Sequence, residues 1–470
     1  MQFKKIIFTF LISVVIFSCK KEVAGNGANS TFSSTDVNNW IYQSMNTYYL
    51  WSTKMPTIAK TNLTIDPMNY FTSILYDYGN TDRFSWIDSS SSNLINQLNG
   101  VNKVLGIKIN SFFVDNTKPN GDIAMVIAYV IKGSPAEKAG IKRGDIILTV
   151  DDQTVNAKNY NTILQNSTLK LGFGNFVNNT FSNNGKFLTV TKVELQTNPI
   201  LMDTVINWSG KKVGYFSYTQ FLNSYDDSLR AVFGRFKSKG VNELVVDLRY
   251  NGGGYVSSSD LLTNLIVKDL GSHVNNVMNK KTYNDAYTQS LTKQSSSNPF
   301  VTNFQNEANN LGNLSRVFIL TSNNTASASE LIINNLRPFM NVILVGEHTY
   351  GKNVGSFTIT DDQNRWNYGL QPITFKIVNS LDQSDYGTVN GFTPNYQVVD
   401  NVLPYKLLGD PYETLFNSAL NVIGAVAYQS NSTHPSQKII RNLAQAAAIS
   451  DNRNLDRHDM FDHPPHTRTK

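Results

Sequence analysis

Residues 325–336 read TASASELIINNL, with hydroxyls at Thr325, Ser327 and Ser329 just ahead of a helical apolar pattern. A Ser or Thr at a helix start caps free backbone N–H groups, and one cap needs one hydroxyl. The surplus raises nucleophilic chemistry. A hydroxyl is a weak nucleophile that needs an adjacent base. In TYGKN, 25 residues after Ser327, stands Lys352. Lysine can be that base only where burial lowers its pKa from a free value near ~10.4. A third unusual segment, DLRYNGGGY, carries successive glycines at 252, 253 and 254.

The elements that must position these residues alternate in type. Strands are predicted at 213–221, 243–247, 316–320 and 341–347, with helices at 223–237 and 327–336. Such alternation implies a parallel or mixed sheet with helical crossovers. In a strand–helix–strand unit both strands run the same way, so the segments leaving their C-terminal ends share one sheet edge. Ser327, Lys352 and the glycines each follow such an end, where open sheets of this kind bind ligands. Ser327 also lies near a helix N-terminus, whose dipoles favour developing negative charge.

Two blocks precede this one. In residues 35–100, NNWIYQSMNTYYLW spaces Trp40, Ile41, Met45, Tyr48, Tyr49 and Leu50 at helical intervals, an apolar face read as core. DRFSWI, from Asp82, closes that block. In residues 101–198, GSPAEKAGIKRGDIILTVDDQTV predicts a short helix from Pro135 to Ala139 that stops at Gly140, then a strand from Ile146. VLGIKI, from Val104, reads as a strand opened by a glycine-containing loop. Together these resemble a PDZ domain, in which an extended peptide adds to the sheet edge beside that loop. The resemblance implies that backbone N–H groups at Val104, Leu105, Gly106 and Ile107 hold a terminal carboxylate.

With the PDZ segment ahead of it, the set DLRYNGGG, TASASELI and VGEHTYGKN resembles the C-terminal processing (tail-specific) serine peptidase family. The resemblance runs from the helical block to GFTPNYQVVD and GDPYETL. It implies that Ser327 is the nucleophile and Lys352 the general base, with N–H groups of Gly253 and Ala328 forming the oxyanion hole. Thr325 or Asn324 is then the expected helix cap, and Ser329 packs or caps. Family members often place Gln or Glu four residues beyond the lysine. Here that position is Ser356, the candidate third partner, with another group as the alternative. His348 is expected at the surface or in a structural role, since no suitably placed acid completes a Ser–His–Asp triad. Asp247 and Arg249 are read as site residues or as a buried salt bridge at the sheet end.

The fold class expected is α+β or α/β multidomain. Residues 1–18 are read as a lipoprotein signal, 19–34 as a flexible tether and 35–100 as a helical domain. Residues 101–198 form the PDZ domain, 199–425 the peptidase core, and 426–470 a partly disordered tail. Hydrophobic residues at 40% and a long chain suit a soluble globular protein with more than one core. Net charge is +6, but Lys and Arg form no dense stripe, so nucleic acid is not an expected partner. Lys4 and Lys5 precede an apolar run too short to span a bilayer, which reads as an export signal. Ser18-Cys19 at its end resembles a bacterial lipoprotein signal, with Cys19 as the lipidated residue. This implies a lipid-anchored protein of the bacterial cell envelope, periplasmic or surface-exposed, whose partners are protein or peptide C-terminal tails and the membrane. No cofactor and no metal are called for; His458, His463 and His466 are irregularly spaced in a segment expected to be solvated. The competing function is a non-catalytic PDZ-containing binding protein, or a hydrophobic-ligand carrier on the same fold.

Overall fold

In the computed structural model, residues 33–115, 118, 121–295, 297–425, 445–450 and 459–463 are described. The proposed signal and most of the tether lie outside them.

The third block is built on a six-stranded sheet. Its order is Ile200–Trp208, Lys211–Tyr218, Glu243–Asp247, Arg316–Thr321, Asn341–Gly346 and Tyr396–Gln397. Only the first pair is antiparallel; the rest are parallel. A parallel sheet must be covered on both faces, and its central strands are apolar at successive positions for that reason. Leu244, Val246, Val317 and Ile319 face the helices Asp226–Ser238, Val256–Ile266 and Ala328–Leu336. Val245, Phe318, Leu320 and Val345 face the opposite layer, where Leu415, Phe416 and Leu420 of helix Thr414–Gly424 pack. The strands at Glu243–Asp247, Arg316–Thr321 and Asn341–Gly346 therefore deliver their C-terminal ends to one edge, as the alternation predicted.

A second six-stranded sheet takes up segments that leave that edge. Its order is Gly254–Tyr255, Met460–Phe461, Val354–Ser356, Ile373–Asn379, Val277–Tyr283 and Val301–Asn303. Helix Ser34–Tyr48 buries Val37, Ile41 and Met45 in one cluster with Tyr283, Phe375 and Ile377 of this sheet. The N-terminal block thus shares its core with this second sheet. The PDZ sheet, Ile107–Phe113, Ile123–Val130, Ile146–Val150, Thr168–Val177 and Thr180–Thr191, has a core of its own around Leu105, Ile109, Ile127, Ile147 and Leu171.

One outcome was not legible in the sequence. Residues of the C-terminal tail are strands within these sheets: Met460 and Phe461 are buried where a solvated segment was expected. Gln445–Ser450 pairs antiparallel with Ile107–Phe113 along the PDZ edge.

Candidate active site

The hydroxyl cluster resolves residue by residue. Thr325 Oγ1 donates to the Leu248 carbonyl at 2.9 Å and accepts the Ser322 N–H, so it ties the loop down and does not cap the helix as expected. Ser322 Oγ donates to the Arg249 carbonyl. Ser329 Oγ donates to the Asn251 carbonyl at 3.1 Å. Three hydroxyls thus pin the segment that leads into the glycine run. Ser327 is different. It occupies the N-cap position of helix Ala328–Leu336, yet its Oγ is buried with no hydrogen-bond partner among the described residues. Its φ is +67°, a region that a residue with a side chain enters only at a cost of roughly 1–3 kcal/mol. Surrounding contacts must enforce it.

Glu330 supplies the enforcement. Its carboxylate is fully buried, and one oxygen, Oε2, accepts the N–H of Ser327 at 2.9 Å and the N–H of Lys352 at 2.8 Å. The other oxygen accepts the Thr349 hydroxyl at 2.5 Å and the Gly351 N–H at 2.7 Å. The first turn of the helix and the TYGKN loop are therefore clamped to one carboxylate, which brings Ser327 and Lys352 together. Burial pushes the Glu330 carboxyl up to about 7, and its four donors oppose that rise. The motif S-x-x-E, a capping-box signature, marks this residue in the sequence.

Lys352 is 1% exposed. Burial lowers its pKa; Asp459, then Asp82 and Glu330, act in the opposite direction. Its Nζ lies 3.7 Å from Asp459 Oδ1 and 4.7 Å from the centre of the Phe84 ring. The neighbouring Arg83 donates to the Gly351 carbonyl at 2.8 Å. DRFSWI thus walls the lysine, a role its sequence did not reveal.

A Cβ built on Gly253 (φ +116°) would stand 2.7 Å from Ser327 Cβ and 2.3 Å from the Asp459 carbonyl oxygen. Only glycine fits there. The Gly253 N–H itself donates to Asn251 Oδ1 at 2.9 Å. Ala328 opens the helix directly after the serine and is buried. Ser356 is buried, but its hydroxyl donates to the Met460 carbonyl at 3.3 Å and accepts from Gln371 Nε2 at 2.9 Å. His348 is exposed, with Nδ1 beside the Asn390 carbonyl. Asp247 and Arg249 form the buried salt bridge at 2.8 Å, and Arg249 also pairs with Glu413. Burial alone would raise Glu413; Arg249 and Arg143 bring its carboxyl down to about 2. Arg143 belongs to the PDZ block and donates to the Tyr250 hydroxyl at 2.9 Å, so the PDZ domain is wired to the segment leading into the glycines. Between the two domains, Trp86, Tyr129, Ile131, Gly253 and Asp459 line a cavity.

At the PDZ loop, Gly106 has φ +90° and its face packs on Ser134, where a Cβ would meet Ser134 Cβ at 2.3 Å. Val104, Leu105 and Ile107 are buried around it.

Comparison with known proteins agrees with this architecture. The description "Peptidase family S41" matches residues 212–398, and "Peptidase S41 N-terminal domain" matches 36–86. The chain belongs to peptidase family S41. A PDZ domain matches the S41 chain at residues 126–171. The chain is 24% identical over 300 residues to the chloroplastic C-terminal processing peptidase of Tetradesmus obliquus, covering 61% of this chain and 59% of that one. It is 27% identical over 232 residues to the carboxy-terminal processing protease CtpA of Bacillus subtilis, covering 49% and 45% respectively. These matches span about half the length of those two relatives. Among solved structures, a putative S41 protease from Bacteroides fragilis superimposes with a TM-score of 0.68 at 28% identity, covering 82% of this chain and 96% of that one.

Proposed function

We propose that this S41 chain is a serine endopeptidase that cuts proteins or peptides near their C-terminal tails, with Ser327 as nucleophile and Lys352 as general base. The observation that carries the reading is the Glu330 clamp: one carboxylate oxygen holds the backbones of both residues, while the serine hydroxyl is unpartnered and the lysine is buried. Ser327 Oγ attacks the scissile carbonyl carbon and its proton passes to Lys352 Nζ. The developing oxyanion takes the N–H groups of Gly253 and Ala328, for which Asn251 Oδ1 must yield the Gly253 hydrogen bond. The lysine then gives its proton to the leaving amine, and water releases the acyl group by the reverse route. Ser356 assists through Gln371 and the strand it borders rather than by orienting the lysine. A fluorophosphonate probe is expected to label Ser327 covalently. Absence of labelling in folded protein, under conditions that label an active S41 peptidase, would favour a non-catalytic binder.

For the PDZ domain, peptides with a free C-terminal carboxylate are expected to bind better than amidated ones, because amidation removes the charge that the loop at Val104–Ile107 would hold. Equal affinity in a titration of both forms would exclude carboxylate capture. For location, we propose a lipid anchor at Cys19 on an exported cell-envelope protein. Among the described residues no helix is long and apolar enough to cross a membrane. Cys19→Ala is expected to move the protein from the membrane to the soluble fraction; unchanged fractionation would remove the anchor.

A further inference from the structure

We propose that the chain's own C-terminal segment, Asp459–His463, is an intramolecular ligand of the active-site cleft, and that a substrate strand reaches Ser327 only by displacing it. The inference rests on the peptidase reading for what is being blocked, and on geometry for the block itself.

The segment fills a gap in a sheet as a guest strand would. Met460–Phe461 runs parallel to Gly254–Tyr255 on one side and to the strand Val354–Ser356 on the other. Gly254 N–H donates to the Asp459 carbonyl at 2.6 Å, and Asp462 N–H donates to the Ser356 carbonyl at 3.0 Å. The glycine run and the strand that follows Lys352 are thus bridged by the tail, and main-chain pairing of this kind is how extended peptides are held at sheet edges. Side chains fix the register. Phe461 packs edge-on against Tyr255 at 4.3 Å between ring centres, Met460 is fully buried, and Asp462 pairs with Lys281. The cleft therefore accepts an extended acid–apolar–apolar–acid segment.

Its position is that of an occupant and not of a substrate poised for cleavage. The Asp459 carbonyl takes the N–H of Gly254, one residue beyond Gly253, whose own N–H stays with Asn251. The Asp459 carboxylate stands 3.7 Å from Lys352 Nζ, where it favours the protonated amine that cannot act as a base. Upstream, Gln445–Ser450 lies antiparallel along the PDZ strand Ile107–Phe113, with Ser450 opposite Lys108 at the loop end. One tail thereby holds both the PDZ edge and the catalytic cleft.

The test compares full-length chains. Phe461→Ser removes the buried anchor. Asp462→Lys, at a position 20% exposed, replaces the ion pair with Lys281 by two like charges that push the tail off the sheet. Both are expected to raise the rate of fluorophosphonate labelling at Ser327 at least tenfold. In a Ser327→Ala background, a fluorescein-labelled peptide of residues 457–463 is expected to bind the Asp462→Lys chain and not the chain with an intact tail, by anisotropy. Equal labelling rates together with equal peptide binding would overturn the proposal. Absent labelling in every chain with the peptide difference retained would overturn the peptidase reading and leave the tail as the cleft's ligand.

Discussion

Lys352→Arg is expected to abolish peptide cleavage at every pH, because a guanidinium stays protonated and cannot accept the serine proton. Ser327→Ala and Lys352→Ala should each lose activity by a factor on the order of 10⁴ or more, and the double variant should fall little further, since groups acting as one unit are non-additive. The pH profile provides the sign. The neutral amine is the active form, so cleavage rises with pH through the Lys352 pKa, which burial lowers from its ordinary value. Three carboxylates act on that amine, from Asp459, Asp82 and Glu330, and all favour its charged form. Asp459→Asn removes the strongest of them and is expected to move the rising limb of kcat/KM, which reports the enzyme with its tail in place, to lower pH. Substantial cleavage by purified Ser327→Ala, with contaminating protease excluded, would sink the assignment.

Glu330→Gln is expected to damage stability and turnover together. An amide nitrogen in place of one carboxylate oxygen faces donors it cannot satisfy: Ser327 and Lys352 N–H at one oxygen, Thr349 hydroxyl and Gly351 N–H at the other. Leaving two buried donors unpaired costs roughly 2–6 kcal/mol. That is a large share of a typical stability of about 5–15 kcal/mol. Because Glu330 holds the backbones of the proposed nucleophile and base, kcat should fall by roughly 10²-fold while KM changes little. The pH dependence separates this from generic damage. A folded pKa of about 7 against an ordinary 4.5 means that ionisation opposes folding. Stability from this group is full below about pH 4.5 and is lost as pH rises through about 7. Thermal unfolding of the wild type should therefore weaken across that window. The Gln variant should lose part of the slope and retain the part from Asp260, which burial also pushes to about 7. An unchanged slope would show that Glu330 does not titrate there.

The sequence by itself determined which residues could do chemistry and the edge at which they would meet. Runs such as ELVVD and RVFIL are apolar on both faces because a parallel sheet is buried on both, and that pattern requires no knowledge of partners. Once the strands are parallel, Ser327, Lys352 and Gly253 must leave from one side. Hydroxyl assignment was less accessible. Thr325 looked like the cap because capping is local, whereas its bond to the Leu248 carbonyl is set by the neighbouring strand, 77 residues away.

Only the tertiary structure decided what surrounds the Ser327 and Lys352 side chains. Phe84 and Asp82 come from the N-terminal block and Gln371 from a distant strand, and no periodicity marks residues that meet through folding alone. The tail is the clearest case. DMFD carries too few apolar residues to signal a strand, since a strand of two residues is stabilised by the edges it pairs with and not by its own composition. Those edges, after Gly253 and after Lys352, exist only when the two sheets have assembled.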